Sequence, residues 1–83
     1  MELELQDIIS ILKEIGYKEL GYVIDDENTY LLYEEIFVGG STTTIRLYYS
    51  KLVVECCNRL GERQSIREVS YETFIKCFVY YLN

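Results

Sequence analysis

Apolar positions recur along this chain in two rhythms. Over residues 3–15, LELQDIISILKEI, the residues Leu5, Ile8, Ile9, Leu12 and Ile15 fall at the spacing of one helical face, and Leu3 and Ile11 widen it. Glu2, Glu4 and Asp7 stand in the first turns, where the helix dipole favours negative charge. Gly16 can take the left-handed conformation that closes a helix. Glu4, Asp7 and Glu14 mark the solvated side. The same rhythm returns over 71–82, with Phe74, Ile75, Phe78, Val79 and Leu82 as the stripe and Tyr71, Cys77 and Tyr81 at its border. Ser70 is placed to cap that helix through its hydroxyl.

Between the helices the period shortens to two. Residues 30–38 are rich in Tyr, Leu, Ile, Phe and Val, and 42–49 alternate Thr43, Ile45, Leu47 and Tyr49 against Thr42, Thr44, Arg46 and Tyr48. Gly39-Gly40 between them predicts a two-residue hairpin turn, since both central positions need φ > 0. That turn pairs Glu34 with Ile45 and Leu32 with Leu47. One face then carries Tyr30, Leu32, Ile36, Val38, Ile45, Leu47 and Tyr49, with Glu34 as an exception. The other carries Leu31, Tyr33, Glu35, Phe37, Arg46 and Tyr48. A three-residue turn, Gly39-Gly40-Ser41, would slip the register and bury Leu31, Tyr33, Phe37, Ile45, Leu47 and Tyr49 instead. The two-residue turn is preferred, because it gives the larger apolar face. Either way both faces are rich in large apolar or aromatic groups. Helices over one face would leave the other free to meet a partner; a sheet buried on both sides, or an ordinary Tyr-rich surface, is the competing reading.

Residues 20–24 form a short strand before the turn Asp25-Asp26-Glu27-Asn28. After Tyr49 the apolar phase moves from odd to even positions, Leu52, Val54 and Cys56, so Ser50-Lys51 is either a bulge or bend in one strand or a break between two. The stretch 51–60 reads as a strand or as a helix capped by Ser50 and Gly61. Val53-Val54 and Cys56-Cys57 are poor helix formers and favour the strand. Residues 64–69 make a weaker last strand, at an edge, where Arg67 and Glu68 would resist unwanted pairing. The expected fold is therefore a single α+β domain over 1–83: an N-terminal helix, an antiparallel sheet of three to five strands around a central hairpin, and a C-terminal helix.

Composition sharpens this picture. Eighty-three residues suffice for one domain with a thin stability margin, so homodimerisation would be one way to enlarge the core. Hydrophobic residues make up 49% of the chain, too many for a disordered protein. No apolar run reaches membrane-spanning length, and the opening MELELQD is acidic where an export signal is basic. Three cysteines, two of them adjacent, fit a reducing, cytosolic setting and act best as small buried hydrophobes.

The net charge of −6 is unevenly spread. Residues 1–40 hold ten carboxylates and two lysines, −8; residues 41–83 hold four carboxylates and six cations, +2. Such a first half repels phosphate backbones and attracts a basic protein surface.

Catalytic chemistry is poorly provided for. The chain has no histidine, which removes the usual general base, the Ser-His and Cys-His pairs and the commonest metal ligand. The carboxylates at 25–27 lack the alternating spacing and glycine of a calcium loop, and Cys56, Cys57 and Cys77 match no zinc framework. Glu34 and Glu35 are neighbours on a strand and point to opposite faces, so they do not form an acid/base pair. A core-facing Glu34 would need a partner such as Arg46 or a tyrosine hydroxyl, in a structural role. No cofactor, metal or catalytic residue is expected.

The acidic charge, the length, the nine tyrosines and the order helix, strands, helix resemble the small phage-encoded inhibitors of bacterial defence, the anti-CRISPR and anti-restriction proteins. Several of those are DNA mimics whose carboxylates stand where phosphates would. The likeness implies a non-catalytic protein of the host-cell cytoplasm that binds the nucleic-acid groove of a defence nuclease. It carries over no site residue, because no motif aligns. The residues themselves nominate Asp25, Asp26, Glu27 and Glu35 for charge, and Tyr33, Phe37 and Tyr48 for contact area. Two other readings stand beside it: an immunity or antitoxin protein held against a basic toxin, and a homodimeric structural or regulatory domain that self-associates through its aromatic face.

Overall fold

The computed structural model describes residues 3–25 and 28–82, with side-chain placement for 3–24 and 29–77. The chain runs α1 (Leu5–Glu14), β1 (Lys18–Asp25), β2 (Asn28–Ile36), β3 (Thr42–Leu47), β4 (Lys51–Cys57), β5 (Arg63–Ser70) and α2 (Tyr71–Leu82). The five strands form one antiparallel sheet in sequence order, β1-β2-β3-β4-β5. The fold is α+β, as the alternation of periods predicts.

Helix α1 is held at both ends by its own sequence. Asp7 reaches back to accept from the Glu4 amide at 2.8 Å. At the other end Tyr17 N–H donates to Leu12 O and Gly16 N–H to Lys13 O, a Schellman closure with Gly16 at φ 102. The closure also seats Tyr17 against Leu12, both in the core. A Cβ at position 16 would lie 3.8 Å from the Glu35 carboxylate, so space is not limiting. Gly16→Ala should therefore show the conformational cost alone, about 1–2 kcal/mol. A lowered denaturant midpoint with an unchanged slope is the expected measurement.

The hairpin β2–β3 departs from the two-residue turn. Phe37 N–H donates to Ser41 O at 2.8 Å and Gly40 N–H to Phe37 O at 3.0 Å, so the loop is Val38-Gly39-Gly40. Both glycines hold positive φ, and Val38 takes the exposed apex. Tyr33 then pairs with Ile45, Leu31 with Leu47 and Glu34 with Thr44. The two-residue turn would have set Glu34 on the face of Ile45 and Leu47. Burying a carboxylate there without a partner costs several kcal/mol, more than any gain in turn geometry. In the observed register Glu34 and Arg46 share the uncovered face, and no buried partner is needed.

The phase shift after Tyr49 marks a break. Tyr48 N–H donates to Lys51 O across a two-residue turn, and Leu47 pairs with Leu52, which carries the inward parity from odd to even. Residues 51–57 are a strand. Strand β5 lies at one edge of the sheet and β1 at the other, where a bulge at Leu20 interrupts the pairing with β2.

Both helices pack on one face of the sheet. Ile8 and Leu12 from α1, Tyr71 and Phe74 from α2, and Tyr17, Tyr33, Ile45, Leu47 and Leu52 make the core. The α1 stripe is as read from the sequence, with Leu3, Leu5, Ile9, Ile11 and Ile15 packed at its border. In α2 the stripe holds at Phe74 and Ile75; the side chains of Phe78, Val79, Tyr81 and Leu82 lie outside the described residues. Ser70 Oγ accepts from the Thr73 amide at 3.1 Å and caps α2, and the Tyr71 hydroxyl donates to Tyr48 O, pinning that helix to the β3–β4 turn. The cysteines differ from expectation. Cys56 and Cys57 face opposite sides of β4 and are half-buried, and Cys77 is exposed.

Candidate functional site: an acidic side and an uncovered sheet face

Because the sheet is a sequential meander, order along the chain becomes position across the sheet. The charge asymmetry of the sequence is therefore an asymmetry in space. Residues 17–40, which build β1, β2 and their turns, hold six carboxylates and one lysine, net −5; residues 41–70, which build β3 to β5, hold five cations and three carboxylates, net +2. Helix α1 adds Glu4, Asp7 and Glu14 on its solvent side.

Neutralisation is uneven as well. Lys51 bridges Glu68 at 3.1 Å and Arg63 bridges Glu55 at 2.8 Å, both across β4–β5. Among the described residues, Glu4, Asp7, Glu14, Glu19, Glu34 and Glu35 of the first half form no salt bridge, and neither do Glu62 and Glu72 of the second. Their field is thus projected outward, subject only to screening by salt.

The residues nominated from sequence do not share one surface. Tyr33 is fully buried beneath α1, and its hydroxyl donates to Glu19 at 3.0 Å. It is a core residue and offers no contact area, a correction that follows from the hairpin register. Glu35 shares that helix-covered side and stands near Tyr17 at the C-terminal end of α1. Phe37 lies where β2 enters its turn and is exposed. Tyr48 lies on the opposite, uncovered face. Asp25 ends β1 opposite Asn28, and Asp26 and Glu27 lie outside the described residues.

The uncovered face holds a cluster that sequence reading divided between two faces. Tyr30 and Tyr48 sit with ring centroids 5.1 Å apart. The Arg46 guanidinium lies 5.7 Å from the Tyr30 ring and the Lys51 ammonium 5.3 Å from the Tyr48 ring, cation–π contacts that hold both cations flat on the sheet. Leu32 and Val53 flank them on β2 and β4. Parity would have grouped these residues had the turn length been known.

Three tyrosines report on the covered face. Burial raises Tyr17 to about 12, with the Glu35 carboxylate next in effect and a Thr43 hydrogen bond opposing. Burial raises Tyr33 to about 12 as well, aided by its bond to Glu19. Burial also pushes the Tyr71 phenol up. Below the ordinary value of 10 the phenols are protonated in both folded and unfolded chains and give no slope. From pH 10 to about 12 the unfolded chain releases protons that the native phenols keep, so stability falls as pH rises. Denaturant melts at successive pH should show this loss starting near pH 10 and reduced in Tyr33→Phe.

A cleft between the N-terminal ends of α1 and α2 is lined by Leu3, Leu5, Tyr49, Ser50, Ser70 and Tyr71. Glu4 and Glu72 also border it and already supply the negative charge that helix N-termini attract. No group of three or more His, Cys, Asp or Glu among the described residues is arranged to hold a metal ion. No described helix is long and apolar enough to cross a membrane. Comparison with known proteins finds no family model, no curated protein and no solved structure that matches this chain.

Proposed function

We propose that this chain is a non-catalytic interaction protein that binds a basic protein surface through its acidic β1–β2 side and the outer side of α1. The nucleic-acid groove of a defence nuclease is the partner this reading favours. The observation that carries it is the concentration of carboxylates without salt bridges on α1, β1 and β2, at one side of a sequential meander. A groove built to hold phosphates presents Lys and Arg at close spacing. Carboxylates held on strands and a helix can meet them without the ordering cost that a flexible acidic tail incurs.

Competition is the direct test. A chain that occupies the groove displaces duplex DNA from the nuclease, and the displacement weakens as salt rises. A complex that forms with DNA still bound places the contact elsewhere on the nuclease. An immunity or antitoxin role uses the same acidic side against a basic toxin, and the same measurement with that toxin replaces the nuclease arm.

A further inference from the structure

We infer that the uncovered sheet face is the contact between two copies of this chain, packed face to face about a two-fold axis. The molecule is a slab of 39 × 38 × 19 Å, one helix layer on one sheet layer. Its accessible surface is 6205 Å². A compact monomer of 9.8 kDa has roughly 5,200 Å² by the usual size scaling, so this chain exposes about 1,000 Å² more. A standard interface buries about 800 Å² per partner. The excess is therefore of the size that one such contact removes.

The face has the composition of an interface core. Tyr30, Leu32, Tyr48 and Val53 give an aromatic and aliphatic centre over β2, β3 and β4. Two opposite charges remain on its central strands without a salt bridge among the described residues, Glu34 on β2 and Arg46 on β3. In a two-fold contact each residue meets its counterpart's partner, so these two side chains can form two equivalent ion pairs between the copies. No second protein of special design is needed to satisfy them.

The face is a poor fit for nucleic acid, because Glu34, Glu55 and Glu68 stand on it and Lys51 is already bridged to Glu68. The outer side of α1 stays open to the partner proposed above, since α1 lies on the opposite side of the sheet, while Glu34 is taken up by the contact between copies.

Sedimentation equilibrium on the full chain tests this. The unaltered protein should be dimeric at micromolar concentration. Glu34→Arg and Arg46→Glu should each weaken the dimer by roughly ten-fold or more, because each change creates like-charge contacts twice. The swap of both, Glu34→Arg with Arg46→Glu, should restore it to within a few-fold. Thr44→Arg, on the same face of β3, should give a folded monomer by circular dichroism. A chain that stays monomeric, a dimer indifferent to both single reversals, or a swap without recovery would overturn the inference. So would a monomer whose Tyr30 and Tyr48 emission is quenched by a single-stranded oligonucleotide, which would give the face to nucleic acid.

Discussion

Replacing Tyr33 by alanine is expected to cost about 3–5 kcal/mol, the range for deleting a buried aromatic ring. A chain of 83 residues has roughly 4–12 kcal/mol of total stability, so this one change should leave a large unfolded population at room temperature. The ring is fully buried on the central hairpin, in the core cluster with Ile8, Leu12 and Ile45. Its hydroxyl also gives Glu19 a donor. Tyr33→Phe keeps the ring and removes only that bond, at about 1 kcal/mol. The contrast between the two variants in a urea melt separates packing from hydrogen bonding. A Tyr33→Ala chain with an unchanged midpoint would place the ring outside the core and reopen the alternative register.

The second large effect is on association. Reversing Asp25, Asp26 and Glu27 to lysine takes the net charge from −6 to zero and removes the acidic run between β1 and β2. Electrostatic steering of a basic partner accelerates encounter by 10-fold to 1,000-fold at low salt. The triple variant should therefore associate at least about ten-fold more slowly at low ionic strength. At high salt the two proteins should converge, because the Debye length has then fallen to about 3 Å at 1 M. Stopped-flow or surface-binding rates over a salt series read this out. A rate that ignores the substitution at every salt concentration removes steering from the account.

Much of this protein is legible in its sequence, for identifiable reasons. The α1 stripe from Leu5 to Ile15 and its closure at Gly16 are local features, fixed by side-chain spacing and by one residue's freedom at positive φ. Ser70 is similarly local. The strand at 51–57 follows from β-branched residues that a helix would crowd. The hairpin register was not legible, because Gly39-Gly40 serves loops of two and three residues equally well. The choice is made by a global quantity, the cost of seating Glu34 among Ile45 and Leu47. That single step of register decides whether Tyr33 is a contact or a core residue, and it puts Tyr33 and Tyr48 on opposite sides of the sheet. The acidic side was foreshadowed by the −8 and +2 halves of the sequence. It needed the meander order to become a surface, since a crossover connection would have interleaved the two halves.

Binding to a basic surface should depend on where the negative charge lies rather than on how much there is. The most direct measurement compares two double reversals that each raise the net charge from −6 to −2: Asp26 and Glu27 to lysine, between β1 and β2 in the chain, and Glu62 and Glu72 to lysine on the opposite half of the chain. Association with the basic partner should slow by roughly ten-fold in the first and change little in the second. Equal losses in both would show that net charge alone drives binding and would contradict a localised acidic surface.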